Sequence, residues 1–280
     1  MSKFGVDISK WQGDFNIAKA KEEGVKFVIA KIGQRTSGID PQFDANYRKC
    51  KENNIPIGCY FYGTATTLME AEYDANYWET ILCGYEFDMP VFYDVEGSML
   101  RADTRTLTDI VKTVLGSLKA KGYAVGIYAS ESVFNAKLYD SELSEYYHWV
   151  AKWSTKEPTL NSGLMVDLWQ FGGETNLIRD NKIAGVTCDQ DYCYIEIEKK
   201  EPVVPEPSTE FKPFLIQAKT PMNVRTAPGV ENKAVGQIDG KYKYTIVETA
   251  KASDGGTWGL LKSGMGWINV SDKYVNKFDL

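Results

Sequence analysis

The chain has 280 residues, 43% of them hydrophobic and 25% charged, which fits a folded soluble protein with one barrel-sized domain and a smaller appendage. A net charge of −6 argues against a general binder of nucleic acid or anionic membranes, and no apolar run is long enough to span a bilayer. With one histidine, His148, two-histidine zinc hydrolase sites are excluded and a histidine-based triad has little room, so the chemistry is expected to rest on carboxylates, with no metal or cofactor.

In chain order, apolar strand-like runs alternate with amphipathic helical ones. "FGVD" reads as a strand, "NIAKAKEEG" as a short helix ending at Gly24, and "VKFVIAKIG" as a buried strand. "DPQFDANYRKCKENN" predicts a helix with Asp40 as N-cap and Pro41 at its first position. The strand "IPIGCYFYG" follows, then the helix "TLMEAEYDANYWETILCG", with Leu68, Ala71, Ala75, Trp78 and Leu82 on one face. "MPVFYDVEG" is a strand. "TRTLTDIVKTVLGSLKAKG" is a helix with Leu107, Ile110, Val111, Val114, Leu115 and Leu118 in register and Gly122 as its stop. "YAVGIYAS", "HWVAKW", "VDLWQFG" and "TCDQDYC" are further strands, the last ones with little helix between them.

The stretch "KKEPVVPEPSTEFKP", residues 199–213, is proline-rich and charged, so it reads as a stiff linker. It separates a body, residues 1–198, from a tail, residues 214–280. The last ~70 residues carry about +4 on an otherwise acidic chain. That imbalance fits a module that meets something anionic, and equally a chance surface bias. Five cysteines (Cys50, Cys59, Cys83, Cys188 and Cys193) are odd in number and fit no zinc spacing, as expected of synthesis in a reducing cytosol. The start "MSKFGVDISKWQG" has no apolar core of a secretory signal.

Eight apolar strands joined largely by helices predict an α/β fold built on a parallel sheet: a small, irregular TIM-type (β/α) barrel that loses its last helices, with an open doubly wound sheet as the alternative. In such a barrel the site lies at the C-terminal strand ends. In order, the strands bring there Asp7, Lys31, Tyr60 with Tyr62, Asp94 with Glu96, Tyr128, Trp153, Gln170 and Asp189. In "FYDVEG" the alternation puts Phe92, Asp94 and Glu96 on one face, pointing into the barrel. Two carboxyls held together in a partly dry site cannot both ionise freely, so one pKa rises. A proton donor beside an anion is what cleavage of a glycosidic bond needs. Structural roles compete with each assignment: Asp7 as a helix cap, Lys31 as an ion-pair partner, the aromatics as core, Gln170 as a partner of backbone groups. His148, in "YYHWV", reads as a structural residue rather than a base.

These segments, taken in order, resemble glycoside hydrolase family 25, the lysozymes of bacteria, fungi and many phage endolysins. The resemblance covers nearly all of residues 1–198 through "DISKWQG", "AKIG", "DPQFDANYRKCKENNIPIGCYFY", "VFYDVEG", "GIYAS", "LWQFG" and "GVTCDQDYC". It implies cleavage of the β-1,4 bond between N-acetylmuramic acid and N-acetylglucosamine. The family's acids fall on Asp7, Asp94, Glu96 and Asp189, with Glu96 as general acid and Asp94 as nucleophile or as orienter of the substrate's 2-acetamido group. The chain departs from the family's common residues at Gln34, Phe61, Cys188 and Asp191. The tail resembles a bacterial SH3-like domain through "TPMNVRTAPG", a hairpin in "AVGQIDGKYKYTIVET" and a closing hairpin in "GTWGLLKSGMGWINVSDKY". Together the two parts resemble a phage endolysin: made in the bacterial cytoplasm without a signal, acting on the wall after release, with peptidoglycan at the barrel mouth and wall polymer at the tail. A cysteine–histidine wall amidase or peptidase, and a non-catalytic wall-binding protein, are the alternatives.

Overall fold

The computed structural model describes residues 2–196, 211–252 and 255–279, so the expected linker lies outside the described residues except for 211–213. The chain divides into two compact units, Met1–Trp78 with Glu86–Glu201, and Glu79–Tyr85 with Pro202–Leu280.

The first unit carries β1 (Lys3–Ile8), α1 (Ile17–Glu22), β2 (Phe27–Gln34), β3 (Gly38–Ile39), α2 (Phe43–Glu52), β4 (Ile57–Tyr62), all but the last four residues of α3 (Leu68–Leu82), β5 (Val91–Asp94), α4 (Thr104–Ala120), β6 (Val125–Ser130), α5 (Glu131–Lys137), β7 (Tyr147–Ala151), β8 (Leu168–Gly172), β9 (Lys182–Ile183), β10 (Val186–Thr187) and β11 (Asp189–Cys193). The eight expected strands are β1, β2, β4, β5, β6, β7, β8 and β11. They pair in the order β1-β11-β8-β7-β6-β5-β4-β2, and β2 pairs back to β1, closing the barrel. The main sheet of this unit is thus closed rather than open. β3 extends β2 at the edge, and β9 with β10 forms a separate ribbon.

One expectation fails. The sheet is not all parallel, because β11 runs antiparallel to both β1 and β8. The reversal nevertheless puts Asp189, at the start of β11, opposite Asp7. An all-parallel barrel would have brought Cys193 to the mouth instead.

Inside the barrel Phe27, Ile29, Phe92, Trp149 and Leu168 form one buried cluster. Gly5 and Gly126 make room for it: a Cβ on either would stand within 2.4–2.5 Å of the Phe27 or Phe92 ring. Outside, Phe61 points away from the mouth, as its place in the alternation requires, and stacks on Trp78 of α3 at 5.3 Å. All six apolar positions expected of α4 are buried. Asp103 caps that helix by accepting from the Arg105 and Thr106 N–H groups, and Gly122, at φ +89°, ends the turn beyond it.

Two helix details differ from expectation. α2 starts at Phe43, and Asp40 is not its cap; its carboxyl accepts from Gln42 N–H and from Lys10 N–H, 30 residues away. In α3, Ala71, Ala75, Trp78 and Leu82 are buried but Leu68, at the first position of the helix, is 48% exposed.

The second unit contains β12 (Phe214–Ala218), β13 (Met222–Arg225), β14 (Ala234–Ile238), β15 (Lys243–Lys251), β16 (Thr257–Leu261), β17 (Trp267–Asn269) and β18 (Val275–Asp279) in one all-β sheet, order β14-β13-β17-β16-β15-β12-β18. Ile216, Val224, Ile238, Ile246, Leu261, Ile268 and Val275 form its own buried core. The closing hairpin is present as β16–β17, with Leu260 opposite Trp267. The hairpin expected in 234–249 is not: β14 pairs with β13, and β15 with β12 and β16.

Candidate active site

β1 brings Asp7 to the mouth, where its carboxyl is buried and its Oδ2 accepts from Gln170 Nε2 at 2.9 Å. Gln170, on β8, is buried as well. Its Oε1 accepts from the Tyr128 hydroxyl (2.9 Å) and from Trp153 Nε1–H (3.1 Å). Gln170 therefore ties three mouth residues from β1, β6 and the segment after β7 into one network and leaves little of itself for a ligand. Trp153 is 44% exposed and offers the open flank of that network.

Asp94 ends β5, paired in register with Tyr62 on one side and Tyr128 on the other. Backbone beyond it stays extended through Glu96 (φ −149°, ψ −170°), so the alternation continues past the last ladder bond and the two acids share a face. Gly97 then turns the chain at φ +57°, where a Cβ would meet the Tyr62 hydroxyl at 2.4 Å. Lys31, paired with Tyr60 across β2 and β4, holds its Nζ 4.6 Å from the centre of the Tyr62 ring and 5.7 Å from that of Tyr60. Tyr60, Tyr62 and Tyr128 are all partly exposed, and Tyr60 and Tyr128 also pack against the buried cluster through Trp149. All ten predicted site residues thus gather at one end of the barrel.

The electrostatics follow from crowding acids around Lys31. Burial pushes Asp94 well above the usual carboxylate range; the charge on Glu96 adds to this and Lys31 opposes it. Glu96 is open to solvent yet hemmed in by the mouth, so partial desolvation raises it too, again against Lys31. Burial, then Asp189 and Asp191, raise Asp7. Asp189 rises to about 6 through burial and the charges of Glu174 and Glu96. Lys31 is lowered by its own desolvation while Asp94, Asp40 and Glu96 hold its proton on.

Two contributors escaped the reading of the sequence as site residues. Asp40 braces the loop after β1 and lends negative charge to Lys31. Asp191, fully buried, accepts from Trp149 Nε1–H at 2.7 Å. Its signal was present in "DQD", the same alternation that marked Asp94 and Glu96. His148 is buried, with Nδ1 2.9 Å from the Tyr146 carbonyl and Nε2 2.8 Å from Asp140 Oδ1. Both ring nitrogens are engaged, which removes it as the base of a cysteine–histidine site. Among the described residues no group of three or more His, Cys, Asp or Glu is placed to hold a metal ion, and no helix is long and apolar enough to cross a membrane.

Residues 6–178 match the family model for glycosyl hydrolases family 25. Among curated proteins no sequence matches significantly. Among solved structures, the CTP1L endolysin aligns at 23% identity and a TM-score of 0.60 over 69% of this chain and 66% of that one. The modular autolysin LytC from Streptococcus pneumoniae, solved with a synthetic peptidoglycan ligand, aligns at 24% identity and a TM-score of 0.61 over 69% of this chain and 47% of that one. The chain therefore spans less than two thirds of the first and less than half of the second. The Clostridium perfringens spore cortex lytic enzyme SleM aligns over 100% of this chain and 98% of its own, at 16% identity and a TM-score of 0.62. At such identities the likeness is one of fold.

Proposed function

Because the chain belongs to the glycosyl hydrolases of family 25, we propose that its mouth is that of an N-acetylmuramidase, a lysozyme that hydrolyses the β-1,4 bond between N-acetylmuramic acid and N-acetylglucosamine in peptidoglycan. The observation that carries this reading is the convergence of Asp94 and Glu96 beside Lys31, each acid raised above its usual range. Glu96, open to the mouth, protonates the leaving oxygen. Asp94 lies deeper, and its Oδ1 is buried with no donor among the described residues. Asp94 acts either as nucleophile or by accepting the N–H of the substrate's 2-acetamido group. In the empty mouth burial favours the proton on Asp94. A substrate N–H donated to Asp94 stabilises its charged form and leaves the proton to Glu96. Tyr60, Tyr62, Tyr128 and Trp153 offer ring faces to the sugars, and Asp7 and Asp189 complete the acidic floor.

Digestion of purified walls should create reducing ends on muramic acid and no new amino termini, read by mass spectrometry of the soluble fragments. Fragments ending in reducing glucosamine would move the enzyme to the other class of wall glycosidase. New amino groups would point to an amidase or peptidase. No turnover at all would leave a wall-binding protein.

The second unit is proposed as an SH3-like wall-binding module, in the manner of an endolysin whose tail holds the barrel on an insoluble polymer. Its separate core and its charge of about +4 support this. Residues 1–199 alone should cleave soluble glycan fragments at the rate of the whole chain but clear intact walls more slowly, since the tail raises local concentration. Residues 211–280 should sediment with walls, less so at high salt. If the tail shows no wall binding at low or high salt, and the shortened enzyme clears walls as fast as the whole, the targeting role is wrong.

A further inference from the structure

Asp7 and Asp191 stand side by side on the floor of the mouth, 6% and 0% exposed, within hydrogen-bonding reach of each other. Their outer donors are accounted for: Gln170 Nε2 gives to Asp7 Oδ2, and Trp149 Nε1–H to Asp191 Oδ1. Asp191 Oδ2 is buried and receives no N–H or O–H from the described residues. Two carboxylates have no proton to bond with, and a buried oxygen left without a donor is costly. We propose that Asp191 is a positioning residue: it shares one proton with Asp7, and that proton fixes the Asp7 carboxyl in the floor of the mouth. The inference rests on the reading of this mouth as the catalytic centre only for its effect on turnover, not for the proton itself.

Among the described residues, the charged groups that act most strongly on the pair are themselves acids. Asp189 faces it from the same strand, and its charge is repulsive to both members. Tyr60 and Tyr128, on β4 and β6, feel the charges of both Asp7 and Asp94, and the thiols of Cys188 and Cys193 feel that of Asp191. Lys31 is directed at Asp94, Asp40 and Glu96. Burial raises both members of the pair, so they titrate as a unit that keeps one proton where free aspartates have lost theirs.

The sign of the linkage is then fixed. Unfolded aspartates ionise near pH ~4, so above that pH unfolding releases the shared proton to solvent. Stability contributed by the protonated pair is full at low pH and is lost as pH rises from about 4 toward the raised value of the pair. An amide at 191 supplies a permanent donor to Asp7 and imitates the singly protonated state at every pH.

The test compares melting temperature against pH for the full chain and for Asp191→Asn. The variant should melt like the parent near pH 4 and gain roughly 3–5 °C at pH 8 for each pKa unit of the pair that it removes. The raised acids Asp94, Glu96 and Asp189 contribute a decline common to both proteins. Parallel pH slopes would overturn the proposal. If Asp191→Asn does not fold, Asp7→Asn removes the same proton from the other side and should flatten the slope equally. Asp191→Ala, which leaves Asp7 without its neighbour, should lower kcat by up to about a hundredfold with KM little changed, and Asp191→Asn should recover much of that loss. Equal kcat in Asp191→Ala and the parent would remove the positioning role. A flattened slope in a protein whose Glu96→Gln variant kept its rate would preserve the shared proton and sink the reaction assigned to the mouth.

Discussion

Glu96→Gln should abolish wall hydrolysis in a protein that folds as before. The substitution keeps shape and removes only the transferable proton. Glu96 is exposed, so the amide strands no buried group, and the expected change in stability is within about 0.5 kcal/mol. Loss of a general acid costs about a hundred- to ten-thousand-fold in rate. The pH profile carries a second signature. Glu96 is raised by partial desolvation, and a general acid works only when protonated, so in the proposed role the rate of the parent should fall as pH climbs through that raised value. Whatever rate remains in the variant should lack that fall. A variant that folds and retains near-normal turnover would take the acid's role away from Glu96.

Trp78→Ala should be the most damaging change outside the mouth. Trp78 is fully buried on α3 and stacks on Phe61 at 5.3 Å and on Tyr93 at 6.0 Å. Those two rings project outward from β4 and β5, the strands whose inner faces carry Tyr60, Tyr62 and Asp94. Tyr93 also donates its hydroxyl to the buried Asp74 of the same helix at 2.7 Å. Removing a buried indole costs about 3–5 kcal/mol, which lowers the melting temperature by roughly 6–20 °C for a unit of this size. Leu68→Ala, on the exposed first turn of the same helix, should change it by little. Melting of Trp78→Ala within 2 °C or so of the parent would mean that the helix contributes no such packing.

Those two residues also mark how far the sequence could be read. Every barrel strand was legible because a buried strand is a short apolar run between turn signals, and alternation along it tells inside from outside. That logic placed Phe61 against α3 and Asp94 with Glu96 in the mouth. Alternation has no direction, however: "DQDYC" presents the same face whichever way it runs, so the reversal of β11 was invisible. Asp40–Pro41 has the composition of a helix start, and Asp40 Oδ1 does accept from Gln42 N–H, but the helix begins only at Phe43 and the other oxygen accepts from the distant Lys10 N–H, a partner that no local signal can register. In the second unit, β14 and β15 are adjacent in sequence and joined by a tight turn, yet β14 pairs back to β13 and β15 forward to β16 and back to β12, and nothing in the run itself says which of its neighbours a strand will take. Asp191 carried the pattern of a mouth residue. What the pattern lacked was its neighbour, since Asp7 lies near the opposite end of the unit.

Because β1 finds its second partner only in β11, with Lys3 opposite Cys193, the barrel cannot close on a ribosome until nearly all of the first unit has emerged. Pairing across so long a stretch is slow to form and comes late in folding. The Gln170–Asp7 bond spans 163 residues in the same way. A nascent or prematurely ended chain that stops before residue 189 would carry Asp94 and Glu96 but no Asp189, no Asp191 and an open seam beside Asp7. The acidic end of the barrel is therefore completed only when β11, the last strand of the unit, has been made.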